Sequence, residues 1–350
     1  MNSFKIGHKL ISEKSSTFII AELSANHNQN FNVAVKTVEA AKKVGADAIK
    51  LQTYTADTIT MKSSKKYFKI NQGTIWDGQT LYDLYKKAYT PWEWQPKLKR
   101  IAEKIGLICF SSPFDRSAVD FLEKMRVPAY KIASFEITDI PLIKYVASKK
   151  KPVIISTGIA ELKDIYEAVK TCRKAGNNKI ALLKCTSAYP APPEMINLRT
   201  IPDLSKKFNV IPGLSDHTLG IAVPIAAVAL GAKIVEKHFI LDRKIGGPDS
   251  KFSLNQSEFK QMVEAIRTTE ETLGTISYKL TDKVKKSREH RRSLFIVKDI
   301  AKGEKITVQN VKSIRPGFGL SPKFLEKIMN KKAKKKLIRG EPLSIRDINL

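Results

Sequence analysis

The stretch "FIIAELSANHNQNFNVAVKTVEAAKKVGADAIKLQT" (18–53) holds the unit from which the fold is read. It opens on an apolar, β-branched run, "FIIAE" (18–22). The segment "NVAVKTVEAAKKVG" (32–45) follows, with apolar residues at helical spacing and Gly45 as a C-terminal stop. A second apolar run, "DAIKLQT" (47–53), closes it. Apolar strands that alternate with amphipathic helices belong to a parallel sheet covered by helices.

The same rhythm continues to about residue 272. Its further runs are "LICFSS" (107–112), "AYKIAS" (129–134), "PVIIST" (152–157), "IALLKCT" (180–186), "NVIPGLS" (209–215) and "AKIVEKHF" (232–239). Eight such units in roughly 250 residues predict a (β/α)₈ TIM barrel. A doubly wound open sheet is the alternative. No GxGxxG follows the first strand, which weakens a dinucleotide-binding reading.

The rhythm breaks twice. Residues 54–106 separate the second and third strands and contain all three tryptophans, Trp76, Trp92 and Trp94. A long connection after a barrel strand lies on the catalytic face, so this one is either a substrate lid or a helical insertion packing its own aromatics. "TPWEW" (90–94) reads as a helix start. After residue 275 the chain turns polar, and 276–290 reads as a linker. Residues 291–350 show short strands and Gly turns, as in a separate small domain that docks on something.

Composition narrows the class. The 350 residues are 42% hydrophobic, enough for one large domain and a small one. No run of eighteen apolar residues occurs, so no membrane span or membrane partner is expected. The start, "MNSFKIGHKLISEK", has no apolar signal-peptide core, and Cys109, Cys172 and Cys185 are widely spaced. Both features point to a reduced cytoplasm and away from a cysteine-based metal site. The net charge is +28, of which residues 281–350 carry +13. Its densest run, "NKKAKKKLIRG" (330–340), lacks interleaved aromatics to stack on bases. A solvated basic face is therefore preferred to nucleic-acid binding.

Residues at the C-terminal ends of barrel strands converge on one mouth. Here they are Glu22; Lys50 and Gln52; Ser111 and Ser112; Lys131, Ser134 and Glu136; Ser156 and Thr157; Lys184, Thr186, Ser187 and Tyr189; Ser215, Asp216 and His217; Glu236, Lys237 and His238. Lysines among hydroxyls suit a substrate bearing a phosphate and a carboxylate. His217 and His238 end neighbouring strands, and two imidazoles without thiolates suit a divalent ion with open positions. The pattern alone leaves a metal site and two core histidines as open alternatives. Lys131 or Lys184 as a Schiff-base nucleophile of an aldolase is a rival chemistry.

The motifs "FIIAELSANHNQN", "GADAIKLQTY", "CFSSPF", "YKIASFE", "ISTGIA", "LKCTSAYP", "GLSDHT", "EKHF" and "GGPDSKFSL", in this order, resemble the sialic acid synthase family. The C-terminal module, with "SIRPGFGL", is similar to a SAF or antifreeze-like domain. The resemblance implies a (β/α)₈ barrel that condenses phosphoenolpyruvate with an N-acylated amino sugar to a nine-carbon 2-keto acid and phosphate. It implies Mn²⁺ or Mg²⁺ on His217 and His238, both also counted among the catalytic residues. Lys50, Lys131, Ser134, Ser156, Ser187 and Ser215 would hold phosphoenolpyruvate, Ser187 standing where asparagine is common. Glu22 and Glu136 would be acid/base residues; Tyr189 and Asp249 would lie on the sugar side. Arg315 would reach a partner's mouth in a domain-swapped homodimer. "AELSANH", "CTSAYP" and "IWD" resemble the pseudaminic branch, whose sugar is 2,4-diacetamido-2,4,6-trideoxy-L-altrose.

Overall fold

The computed structural model describes residues 3–71 and 73–349, which form two compact units, residues 1–274 and 275–350. The first is a closed barrel of eight parallel strands. These are β1 (Phe18–Glu22), β2 (Ala48–Thr53), β3 (Ile108–Pro113), β4 (Tyr130–Ile132), β5 (Val153–Ser156), β6 (Ile180–Cys185), β7 (Ile211–Asp216) and β8 (Ile234–His238). Each pairs with the next, and β8 pairs with both β7 and β1, so no edge is left open.

Every apolar run read from the sequence holds one strand, trimmed at its ends for local reasons. The fourth run stops at Ile132 because Ser134–Glu136 coils into a 3₁₀ turn. The seventh starts late because Asn209, at φ 48°, ends the preceding helix in the left-handed region. In the first helix, Phe31–Lys43, Asn30 caps the start by accepting from the amides of Asn32 and Val33. Gly45 lies at φ +89°, and a Cβ there would meet Val263 at 3.0 Å, so the stop requires glycine.

Strand alternation separates the two main clusters of the core. Phe18, Ile20, Ala48, Ile108 and Phe110 belong to one buried cluster, which also takes in Ile154 and Leu183. Ile19, Ala21, Ile49, Leu51 and Val235 belong to a second, with the helical residues Val38, Leu98, Phe259 and Met262. A hairpin of Phe4–Ile6 and Lys9–Ile11 adds Phe4, Ile6 and Ile11 to the first cluster, beside Phe18 and Ile108. That hairpin is absent from the sequence reading, because three-residue strands are too short for a periodicity test.

The connection after β2 carries three helices, Ala56–Ile59, Leu81–Ala88 and Gln95–Lys104. The last begins directly after "TPWEW". Its tryptophans have different fates. Trp94 packs edge-on against His27 and Phe31, and Trp92 lies 4.8 Å from the Phe121 ring. Trp76 goes elsewhere, as described below.

The second unit has an antiparallel pair, β9 (Ser293–Ile296) and β10 (Val311–Ile314). Its own core includes Leu294, Ile296, Ile306, Val311, Leu337 and Ile348. A short helix, Asp282–Ser287, lies within the stretch read as a linker. No helix among the described residues is long and apolar enough to cross a membrane.

Candidate active site at the barrel mouth

At the C-terminal end of the barrel, two lysines and two glutamates interlock. Lys50 touches the Glu22 carboxylate, lies 3.8 Å from Glu236 and donates to Ser112 at 3.2 Å. Lys131 donates to Glu236 Oε1 at 2.8 Å, and Ser215 donates to the same oxygen at 3.1 Å. All six of these residues are buried. Strand register explains the grouping: Glu22 is level with Lys50, and Glu236 with Ser215.

The two carboxylates are held differently. Burial pushes Glu22 up to about 7, outweighing Lys50, and Glu236 adds to the rise. Burial acts the same way on Glu236, but Lys131 and Lys50 overcome it and hold that group at about 2. Near neutrality the cluster thus sets two lysine charges against one full carboxylate charge and one carboxyl that keeps part of its proton.

Beside this ring, Ser134, Ser156 and Ser187 surround the turn after β5. Ser187 donates to Ser134 at 2.8 Å, and the Ile159 amide donates to Ser134 at 3.1 Å. Gly158 is the tightest point: a Cβ there would lie 2.3 Å from Ser187 Oγ and 2.5 Å from Ser134 Oγ. Only glycine lets the backbone approach these hydroxyls so closely.

The rings of His217 and His238 are 5.4 Å apart. The Nδ1 of His217 is 2.9 Å from the Thr186 carbonyl, a bond that protonates Nδ1 and leaves the lone pair on Nε2. The Nδ1 of His238 is buried with no hydrogen-bond partner; the nearest carboxylate, Asp249, is 3.7 Å away. Burial and the neighbouring His217 keep the His238 pKa well down, so its ring stays neutral. Burial opposes charge on His217, but the neighbouring Cys185 outweighs it and raises that pKa. The neutral His238 ring with its orphaned nitrogen, and the free Nε2 lone pair of His217, fit a divalent ion. Among the described residues no three His, Cys, Asp or Glu side chains cluster as ligands, so such an ion would draw its other positions from substrate or water.

Glu136 sits on the 3₁₀ turn with Ser134; its Oε2 is buried without a partner, and burial raises the group to about 7. Asp249 accepts from the Ala25 amide at 3.4 Å, and burial raises its pKa. Tyr189 lies 4.4 Å from the His217 ring and 5.2 Å from Phe252, which is 4.9 Å from His238. Twelve of the thirteen residues expected from the sequence therefore lie in the barrel unit, eleven within strands or up to four residues past their ends and Asp249 in the loop after β8. Arg315 belongs to the second unit, exposed in the segment after β10.

Other strand-end residues turn away from this ring. Ser111 bonds Thr53, which in turn bonds Gln95. Lys184 donates to its neighbour's carbonyl, Cys185 O, at 2.7 Å and lies with Thr157 and Asp203 along an outer groove. Lys237 is buried against Asp216, which also holds Thr218 through two bonds of 3.0 Å. That outward pair braces the turn carrying His217. The sequence reading passed over Glu236 as a working residue. Its signal was present: it lies two residues before His238, on the same face of β8.

Comparison with known proteins agrees with this geometry. The profile of the NeuB family matches residues 37–278, and that of the SAF domain matches residues 291–349. A pseudaminic acid synthase from Campylobacter jejuni is 49% identical over 93% of this chain and 95% of its own length. An N,N'-diacetyllegionaminic acid synthase from Legionella pneumophila is 38% identical over 93% of both chains. The crystal structure of a spore coat polysaccharide biosynthesis protein from Bacillus subtilis superposes with a TM-score of 0.68, at 34% identity, covering 100% of this chain and 99% of that one. The closed eight-stranded barrel, its charged mouth and the matched profile over most of its length place this chain in the NeuB family, with a SAF domain after the barrel.

Proposed function

We propose that this chain condenses phosphoenolpyruvate with 2,4-diacetamido-2,4,6-trideoxy-L-altrose to give pseudaminic acid and phosphate. One observation carries the reading: buried polar atoms without partners gather at the mouth. They are Ser156 Oγ, Glu136 Oε2, Glu236 Oε2 and His238 Nδ1. Buried polar atoms are nearly always paired, so such a group calls for a polar ligand. Lys50, Lys131 and the serines around Gly158 give that ligand an anionic character. The sugar follows the likeness to named pseudaminic acid synthases, which exceeds that to the legionaminic relative.

The chemistry assigns each group a task. C3 of phosphoenolpyruvate bonds to the aldehyde carbon of the open-chain sugar, and positive charge develops at C2. Water adds at C2, and the C–O bond to phosphate breaks, leaving the 2-keto group. His217 and His238 would hold manganese or magnesium, which would supply Lewis-acid polarisation of the aldehyde. Lys50 and Lys131 keep the carboxylate and phosphate in place as their charge changes. Glu22 and Glu136, both near neutrality in pKa, form the acid/base pair: one proton goes to the new alkoxide, and one leaves the attacking water. Tyr189 and Asp249 border the sugar.

The test is phosphate release from phosphoenolpyruvate with three sugars: the altro bis-acetamido sugar, the legionaminic precursor and N-acetylmannosamine. The highest kcat/KM with the altro sugar, abolished by EDTA, is expected. Equal or better turnover of another sugar overturns the substrate; no phosphate release with any overturns the reaction. The homodimer and the role of Arg315 are part of the same proposal. Arg315→Ala should raise the sugar KM with the dimer intact, and unchanged kinetics would remove that residue from the site.

A further inference from the structure

The long connection after β2 sends Trp76 to the mouth. Trp76 lies 5.4 Å from the Tyr189 ring and 6.4 Å from Phe252. Those two rings in turn stand against His217 and His238. Trp76 thus forms the outer end of an aromatic wall that starts at the imidazoles.

Its polar atom is already engaged. The indole Nε1 donates to the Pro248 carbonyl at 3.1 Å, in the loop that also carries Asp249 and Phe252. With that donor satisfied, the half-buried ring offers only apolar surface. Trp92 and Trp94 pack beside Phe121 and Phe31, whereas Trp76 packs on two rings of the mouth. The charged groups Lys50, Lys131, Glu22 and Glu236 form a separate cluster at the mouth. A sugar with its aldehyde end at the imidazoles therefore has aromatic carbon within reach along the wall that ends in Trp76.

We propose that Trp76 is a specificity-determining residue whose indole face receives a methyl-bearing substituent of the sugar. This rests on the substrate proposed above. Relative to N-acetylmannosamine, that substrate has two added apolar groups, the 4-acetamido methyl and the C6 methyl. Either suits the ring, and the sugars used in the test separate them.

The test measures kcat/KM of wild type, Trp76→Ala and Trp76→Phe with three sugars. These are the full bis-acetamido 6-deoxy sugar, its 6-hydroxy counterpart and its 4-hydroxy counterpart. One methyl against an apolar surface is worth about tenfold to two-hundredfold in discrimination. Trp76→Ala should lower the preference for the full sugar over one counterpart by that factor, and Trp76→Phe should restore most of it. The counterpart concerned identifies the methyl. The KM for phosphoenolpyruvate should be unchanged, which a collapsed mouth would not allow. If kcat/KM falls equally for all three sugars, Trp76 only packs and the proposal is wrong. A wild type that prefers N-acetylmannosamine to the full sugar would overturn the proposed substrate and this role with it; a wild type that prefers the full sugar beside a variant with unaltered preference overturns this role alone.

Discussion

Glu236→Gln is the substitution that probes the mouth most informatively. Glu236 accepts from Lys131 at 2.8 Å and Ser215 at 3.1 Å, and is buried. Its two lysines lower it from 4.5 to about 2 in the folded state. At about 1.4 kcal/mol per pH unit, the charge contributes ~3 kcal/mol to stability at neutral pH. Glutamine keeps neutral hydrogen bonds but leaves Lys131 without its carboxylate. Glu236 also helps raise Glu22, so the variant regains part of that penalty. The net loss should be about 2–3 kcal/mol at pH 7. A carboxyl with a depressed pKa stabilises above its unfolded value and loses that contribution as pH falls through the folded one. The difference between the proteins should therefore widen slightly from pH 7 to 5 as Glu22 protonates, shrink below pH 4.5, and be roughly halved near pH 3. Urea unfolding followed by tryptophan emission suits the measurement, because all three tryptophans lie in the barrel unit. A variant as stable as wild type at pH 7, or a deficit that persists undiminished at pH 3, would refute the charge assignment.

Gly158→Ala drives a Cβ into Ser134 and Ser187 at 2.5 and 2.3 Å, so kcat/KM for phosphoenolpyruvate should fall about a hundredfold with sugar KM little changed; an unaffected enzyme would place the phosphate elsewhere. Glu22 and Glu136 both lie near 7 through burial, so kcat/KM should be bell-shaped about neutrality. The limb below neutrality reports the group acting as base and the limb above it the acid, and Glu136→Gln should abolish one of them; a flat profile from pH 5 to 9 contradicts the pairing. Lys237→Met leaves Asp216 buried and uncompensated, at a cost of about 3–5 kcal/mol, and adding Asp216→Asn should recover much of it; a double variant no better than the single would show that the pair is not coupled.

The barrel was legible because its strands are long apolar runs punctuated by helices, a pattern written locally in the chain. The strand ends were legible for the same reason: once β7 and β8 are neighbours, His217 and His238 must be too. What the pattern did not decide was phase at the frayed ends of strands. Lys237 and Glu236 are adjacent and equally charged in magnitude, yet one faces Asp216 outside the barrel and the other Lys131 inside. The hairpin at Phe4–Ile11 escaped because its strands are three residues long. Trp76 escaped for a different reason. Its position depends on a hydrogen bond to Pro248, 172 residues away in sequence, and no local periodicity encodes such a contact. The net charge of +28 was the least informative quantity, since the charges that shape the mouth are buried.

Phosphoenolpyruvate carrying oxygen-18 in the bridging position, supplied with the altro bis-acetamido sugar and Mn²⁺, follows the bond that breaks as the new carbon–carbon bond forms. With C–O cleavage, mass spectrometry should find the label in the released phosphate and none in the nine-carbon keto acid. Label retained in the keto acid, or phosphoenolpyruvate left intact, would overturn the proposed reaction.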